Sequence, residues 1–395
     1  MLHLERPSQP TDASTAFALW NLGFRPFYFL ASVFAALSVL LWSFENAGYL
    51  PDAYLRAPLW HAHEMLFGFT VAVMTGFLFT AVRNWTGQPT PTGPLLAAYA
   101  MLWMAARVLV LTPYALAAAL VNASFPLAVA VGICVPLLRS RNRRNYFFVA
   151  LLVGLATATL AVHLSVLGIL VWPEFVSVHA GLDIVLFIMA VMGGRVIPMF
   201  TNNGIPGSNA RRHVLVERFA LGGIVALFAA DLLQISPTAI AALALAVAVA
   251  HALRLYLWQP WRTLSTPLVW ILHAAYGWII IYLLMHASAS LGYVAKPLAA
   301  HALTIGAIGG LTIGMMTRTA RGHTGRPLTT DRFELTAFAL VQVAATIRVF
   351  GGMLFPGIYL KTVVASALCW SCAFALYAIR YWPVLARPRI DGKAG

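Results

Sequence analysis

The sequence predicts an all-α, polytopic integral membrane protein, with residues 1–395 forming a single transmembrane domain. Hydrophobic residues make up 61% of the chain and charged residues 10%, which leaves too little polar cover for a soluble domain of this length. Apolar runs of the roughly 20 residues needed to cross a bilayer core recur along the chain. Pro, Gly and Asn separate most of these runs, as expected for short loops.

Hydropathy windows of about 19 residues predict twelve membrane spans. They cover approximately residues 25–44, 61–82, 95–112, 114–138, 147–171, 179–200, 219–235, 237–257, 268–286, 297–317, 335–353 and 357–381.

Basic residues predict the orientation of these spans. Of the 26 Lys and Arg residues, 20 lie in the termini or the even-numbered loops, Arg6 among them, and the odd-numbered loops carry only Arg56 and Lys296. By the positive-inside rule, both termini are expected in the cytoplasm. The same bias accounts for the net charge of +14, so no nucleic-acid partner is expected.

A recurring segment divides the chain into three similar parts. Each copy opens with a histidine, continues as an apolar helix and closes with a small polar turn, and the copies cover 63–89, 179–206 and 301–327. They predict three four-helix repeats at about 25–138, 147–257 and 268–381. The second, sixth and tenth spans would then run inward and place the opening histidines near the outer face. Convergence of Gly-rich apolar helices is the alternative.

Histidines within the spans indicate a metal cofactor, because imidazole is a common ligand of copper, iron and haem. Six of the eight histidines in or at the edges of spans map to the outer half, whereas His251 and His273 lie deeper and have no assigned role. The candidate metal ligands are His61, His63, His163, His179 and His301. Hydrogen bonding between helices is the alternative for each of them.

His61 and His63 are not equivalent, because residues two apart point about 200° apart on a helix. They would serve different metals, unless His61 lies just before the helix. His63 occupies the repeated position and is the expected axial haem ligand from its helix.

Charged residues at the same level are candidates for proton transfer and cofactor binding. Glu64 and Asp183 are the candidate catalytic residues; Asp183 lies one turn after His179 and could orient it or pass it a proton. Capped or salt-bridged helix ends are the alternative. Arg107 and Arg348 follow His63 and His301 by 44 and 47 residues, and arginine suits haem propionates through bidentate pairing. Pairing with Asp231 is the alternative for these arginines.

The sequence resembles the NnrS family of bacterial membrane proteins over nearly its whole length. The motifs that carry the resemblance are WHAHEMLFGF at 60–69, FLFTAVRNWTG at 77–87, GGRVIPMFTNN at 193–203 and HALTIGAIG at 301–309. The resemblance implies a twelve-span protein of the bacterial inner membrane that contains haem and copper and is tied to tolerance of nitrosative stress. It implies a b-type haem and copper held by histidines that include His61, His63, His179 and His301. Because imidazole suits both metals, non-haem iron is the alternative to copper.

The predicted architecture is also similar to the main subunit of haem-copper oxidases and nitric oxide reductases. That similarity implies His63 and His301 around haem, with His179 on copper beside His61 or His163. The chain departs from the pattern, since its seventh span lacks paired histidines and its tenth has a single one. A two-haem oxidase is therefore not expected, which leaves a reduced, single-haem relative as the alternative.

These observations lead to three hypotheses of function. The first is a membrane haem-copper protein that binds nitric oxide and could reduce it as an oxidoreductase, with electrons from an unknown donor. The second is a non-catalytic haem-based nitric oxide binder or sensor, or a metal-homeostasis protein. The third is a membrane transporter, because repeats and midplane polar groups also mark transport folds.

Overall fold

The computed structural model describes residues 17–46, 49 and 54–393. Over this part the chain is 80% helical and contains no strand. Arg6, which contributes to the charge bias in the sequence, lies outside the described residues. The all-helical class predicted from the sequence is confirmed.

The long helices follow one another along the chain with short connections. They are α1 (Phe24–Asn46), α2 (Ala57–Thr86), α3 (Gly93–Leu109), α4 (Ala115–Arg139), α5 (Phe147–Val166), α6 (Glu174–Gly204), α7 (Val214–Leu232), α8 (Pro237–Leu257), α9 (Pro267–Ser290), α10 (Lys296–His323), α11 (Arg332–Leu354) and α12 (Tyr359–Ala386).

Ten helices in the described ranges are long and apolar enough to cross a membrane, so the chain is a multi-pass membrane protein. The two that do not qualify by length and composition are α3, with 17 residues, and α7, which carries three charged side chains.

Local sequence signals explain where several helices begin and end. Pro267 stands at the start of α9, where its missing N–H costs nothing. Gly87 ends α2 in the left-handed conformation, at φ 66°. Asp331 and Glu334 form a capping box at the start of α11.

Three helices contain π-helical segments, which often occur at functional sites. In α2 the segment is Glu64–Thr70 and directly follows His63, and in α10 it is Ala302–Gly309 and directly follows His301. The third segment, Ile347–Gly351 in α11, contains Arg348. The first and third copies of the recurring segment thus share a local structure, whereas α6 is α-helical throughout its described length.

The helices pack closely against one another, and the first and last of them are in contact. Helix α1 packs against α12, where Trp370 Nε1 donates a hydrogen bond of 3.0 Å to the Ala35 carbonyl. Helix α6 meets α2 where Gly181 faces Phe67, and α10 meets α9 where Gly310 faces Ala275. At these glycines a Cβ atom would collide with the neighbouring side chain, so the glycines permit the close approach.

Successive helices alternate in direction, so the starts of even-numbered helices and the ends of odd-numbered helices lie at one end of the bundle. Arg107 near the end of α3 contacts Glu64 near the start of α2. Asp231 near the end of α7 likewise lies 3.1 Å from His286 near the end of α9. We call this the histidine end, because the five candidate metal ligands named above belong to it.

Candidate functional site

Two pairs of histidines meet at the histidine end. His61 of α2 faces His301 of α10, with ring centroids 6.4 Å apart and ring planes inclined by 14°. His63 of α2 faces His163 of α5, with ring centroids 4.7 Å apart. The two histidines of α2 therefore contact different partners.

The His61–His301 pair has a ring spacing that would suit two imidazoles holding one metal ion. Each metal–imidazole bond is about 2 Å long, so two such rings have centroids about 6 Å apart. Nδ1 of His301 lies 2.5 Å from the Pro297 carbonyl, which leaves Nε2 as the nitrogen available to a metal. Nδ1 of His61 is buried and has no hydrogen-bond partner among the described residues. Trp42 packs on the His61 ring at a centroid distance of 4.6 Å.

Arg348 lies beside this pair and interacts electrostatically with both histidines. Its Nη2 atom donates a hydrogen bond of 3.1 Å to the Tyr359 hydroxyl. Its Nη1 atom is buried and finds no partner in the part of the chain that the structure describes. A buried guanidinium with one open donor is suited to an anionic ligand such as a propionate.

The His63–His163 pair has the hydrogen-bonding pattern of metal-ligating histidines. Both residues are fully buried. Nδ1 of His63 lies 2.8 Å from Glu64 Oε1, and Nδ1 of His163 lies 2.6 Å from the Tyr54 hydroxyl. The Nε2 atoms of both rings are buried without a partner within the described ranges. Imidazoles with one nitrogen held and the other free can bind copper, iron or zinc.

Protein ligands beyond these pairs do not converge. Among the described residues, no group of three or more His, Cys, Asp or Glu side chains could hold a metal ion. Each pair would accordingly supply two imidazoles, and the other ligands would come from a porphyrin or from small molecules.

Arg107 is linked to the His63–His163 pair through Glu64 and not to the His61–His301 pair. Its Nη1 atom donates to Glu64 Oε1 at 2.6 Å, and its Nη2 atom donates to the Asn122 side chain. Gly68 makes room for the guanidinium, because a Cβ at this position would overlap it. Oε2 of Glu64 is buried with no partner in the described structure, so one oxygen of this carboxylate remains open.

His179 and Asp183 lie in a separate cavity of about 470 Å³ between α6, α7, α8, α9 and α10. His179 is exposed, and its Nδ1 atom lies 2.6 Å from the Phe175 carbonyl. Asp231 and His286, 3.1 Å apart, line the same cavity. Within the described chain, no ring contact joins His179 to the other four candidate ligands.

The deeper histidines have structural partners on both ring nitrogens. His251 Nδ1 lies 2.7 Å from the Tyr276 hydroxyl and its Nε2 lies 3.3 Å from the Ala220 carbonyl. His273 Nδ1 lies 3.1 Å from the Val269 carbonyl, and its Nε2 lies 3.3 Å from both the Thr201 hydroxyl and the Trp258 carbonyl. Neither ring has a nitrogen free to bind a metal, so His251 and His273 have structural roles.

Two residues that complete these sites were not predicted from the sequence. Tyr54 holds His163 from the segment before α2, and no pattern in the sequence pointed to it. Asn122 holds Arg107 from within the apolar α4, and a polar residue in such a span was a usable signal.

Fold and site together define a helical, multi-pass membrane protein with two histidine pairs at one end of its bundle, one of them fully buried. The chain belongs to the NnrS family, whose model, described as NnrS protein, matches residues 18–389. This membership relates the chain to the nitric oxide response. No curated protein matches the chain by sequence.

Proposed function

We propose that this protein binds haem b and copper at the histidine end and uses them to bind and reduce nitric oxide, which protects the cell against nitrosative stress. The observation that carries the proposal is that His61 meets His301 and His63 meets His163 at one end of the bundle. In His63, His163 and His301 the protein holds Nδ1 and leaves Nε2 without a partner among the described residues, and His61 has an unpartnered Nδ1.

In this proposal His61 and His301 hold the haem, and Arg348 binds a propionate. The sequence led us to expect His63 and His301 as the axial pair. The 6.4 Å spacing supports His61 instead, because His63 turns toward His163 on another face of α2.

The second metal, copper or non-haem iron, is assigned to His63 and His163. Glu64 orients His63 through their 2.8 Å contact, and Arg107 holds the Glu64 carboxylate in place. When bound, the haem iron and the second metal supply two centres that bind nitric oxide and pass electrons to it. Two nitric oxide molecules, two electrons and two protons give nitrous oxide and water.

The protons of this reaction would be handled by carboxylates of the chain. The open Oε2 atom of Glu64 lies next to the His63 pair and is suited to carry a proton there. Asp183 lines the cavity at the same end of the bundle and is suited to take protons from outside. Nitric oxide itself is small and neutral, so it reaches the buried metals through the apolar helices without a polar channel.

We further propose that all twelve helices cross the bacterial inner membrane, as three four-helix repeats with both termini in the cytoplasm. Helix α4 begins at the histidine end, where Asn122 meets Arg107, and α2 ends at the opposite end, which supports a crossing by α3 between them. The same reasoning applies to α7, because Ile240 near the start of α8 lines the cavity with His179. At about 1.5 Å per residue, α3 is about 25 Å long, close to the thickness of a hydrocarbon core.

The test is a visible spectrum and a metal analysis of the purified protein beside single histidine variants. His61→Ala and His301→Ala are expected to lose the haem Soret band. His63→Ala and His163→Ala are expected to keep that band and lose the second metal. His213→Ala, at an exposed position at the other end of the bundle, is the control and should retain both. Wild-type protein without haem, after expression with haem available, would overturn the proposal.

Turnover separates an enzyme from a binder. An enzyme consumes nitric oxide steadily while a reductant is supplied, and the consumption stops when the reductant is withheld. A single stoichiometric uptake of nitric oxide by haem-loaded protein would instead identify a binder or sensor.

A further inference from the structure

The cavity of about 470 Å³ at the histidine end is not used by either histidine pair. It opens between membrane helices, and most of its wall is apolar, with Leu182, Phe228 and Ile240 among the lining residues. Its volume falls in the range of about 300–1,000 Å³ that is typical of sites for small organic ligands.

Polar side chains line the cavity as well. His179, Gln234, Ser290 and Lys296 belong to its wall, and Asp183, Asp231 and His286 are groups that can accept hydrogen bonds from a ligand. Asp183 of α6 makes no hydrogen bond or ion pair with any described residue. Asp231 of α7 and His286 of α9 form a second polar site, with Oδ2 and Nε2 3.1 Å apart. The Tyr282 ring packs beside His286 at a centroid distance of 5.7 Å. The cavity thus combines an apolar body with two separate acceptor sites.

This combination selects among ligand classes. The mostly apolar wall and the volume of about 470 Å³ favour an organic molecule over a bare metal ion. A ligand that reaches the cavity through the bilayer has to be apolar, and a ligand that satisfies both acceptor sites needs two hydroxyl donors. A membrane-soluble hydroquinone has an aromatic ring that carries two such hydroxyls.

We propose that this cavity binds a hydroquinone of the membrane and is the site at which the protein takes up electrons. One hydroxyl donates to Asp183 and the other donates to the Asp231–His286 pair. The inference rests on the proposed function for the fate of the electrons, because the cavity itself holds no electron acceptor.

The position of the cavity suits this role. Ala299 and Ala300 form part of its wall and directly precede His301 on α10. The wall of the proposed donor site and the proposed haem ligand therefore belong to one turn of one helix. Electrons leaving the cavity have a short path to the metal site.

The step balances as follows for one hydroquinone. Its two O–H bonds break, and one proton goes to Asp183 and one to the Asp231–His286 pair. Its two electrons leave one at a time and are taken up by the nitric oxide that the proposed function consumes, and the ring becomes a quinone. Two nitric oxide molecules accept those electrons with two protons, which yields nitrous oxide and water.

The first test measures binding and requires no catalysis. A short-chain hydroquinone and its quinone are titrated by calorimetry into the full-length protein in detergent, with empty detergent as the blank. Asp183→Asn and His286→Gln are expected to weaken hydroquinone binding at least tenfold. Glu174→Gln is the matched control, because Glu174 lies on the same helix near the same end but does not line the cavity. It should bind as the wild type does.

The outcomes separate this inference from the proposed function. The inference would be overturned if the wild type does not bind hydroquinone, or if Asp183→Asn and His286→Gln bind it as well as the control does. In either case, a haem Soret band in the same protein would still support the proposed function. Binding that depends on Asp183 and His286 in protein without haem would support the site and overturn the proposed function. Each variant is checked for a wild-type unfolding temperature, so that misfolding is not read as lost binding.

Discussion

Arg107 Nη1 lies 2.6 Å from Glu64 Oε1, and both side chains are buried between α2, α3 and α4. An ion pair in such a place is costly to break, since removal of one partner leaves a buried charge. Arg107→Gln is therefore expected to lower the free energy of unfolding by about 3–5 kcal/mol. Thermal or denaturant unfolding in detergent measures the change.

The matched control is Arg380→Gln. Arg380 pairs with Asp331 at 2.6 Å, but both side chains are more than a third exposed. Exposed pairs contribute about 0–1 kcal/mol, so this variant should unfold almost as the wild type does. Equal losses in the two variants would contradict the assignment of Arg107 to a buried pair.

A second prediction concerns two glycines in helices. A Cβ on Gly194 of α6 would overlap the Arg254 guanidinium, whereas a Cβ on Gly222 of α7 would meet open space. Gly194→Ala is expected to destabilise by about 1–3 kcal/mol or more, as overpacking does. Gly222→Ala is expected to stabilise by about 0.5–1 kcal/mol, because alanine loses less backbone entropy in a helix. Unfolding temperatures that shift in the same direction would contradict the close packing at Gly194.

A third prediction tests the structural role of the deep histidines. The Tyr276 hydroxyl contacts His251 at 2.7 Å and Arg254 at 2.8 Å, so Tyr276→Phe leaves both without this partner. The expected loss is about 1–3 kcal/mol of stability, with unchanged haem and metal content. Tyr256→Phe, at an exposed position on the same helix as Arg254, should change neither quantity. Loss of bound metal from Tyr276→Phe would contradict a purely structural network.

A fourth prediction concerns the pH dependence of the α11 cap. Contacts with Glu334, with the Phe333 amide and with the Arg380 guanidinium together hold the pKa of Asp331 below its ordinary value. Since the folded-state pKa is the lower one, the carboxylate stabilises the fold above about pH 4 and loses this contribution as the pH falls. Asp331→Ala should cost about 1 kcal/mol at neutral pH, and its difference from the wild type should shrink in acid.

Asp331→Asn provides the control for this effect. Asparagine caps helices about as well as aspartate but does not titrate. Its stability should resemble that of the wild type at neutral pH, and its difference from Asp331→Ala should persist in acid. A difference between Asp331→Ala and the wild type that does not change with pH would contradict the role of the charge.

Much of the fold could be predicted because the length of an apolar segment, and the proline, glycine or asparagine residues that interrupt it, can be recognised locally in the sequence. The predicted span 237–257 has the bounds of α8, Pro237–Leu257, where a proline starts the helix. The predicted span 61–82 is shorter than α2, which runs from Ala57 to Thr86 and ends with the polar residues Arg83, Asn84 and Thr86. The π-helical segments after His63 and His301 were not predicted, since hydrogen-bond register leaves no clear mark in composition.

The sequence predicted which histidines lie at the candidate site, but it did not predict which of them contact each other. The five histidines share one end of the bundle, as their spacing along alternating spans indicated. The pairing of His61 with His301 and of His63 with His163 depends on how α2 is rotated against α5 and α10. That rotation follows from contacts between residues about a hundred or more positions apart, such as Gly181 against Phe67.

By itself, the sequence determined that this chain is a helical membrane protein and which ionisable residues its apolar segments carry, because the bilayer imposes length and polarity on each segment separately. Only the tertiary structure decided which of those residues meet. In the folded protein Arg107 pairs with Glu64, His179 lies apart from the other four candidate metal ligands, and both nitrogens of His251 have hydrogen-bond partners. The physical reason is that a side chain's partner depends on the rotation and close packing of several helices at once.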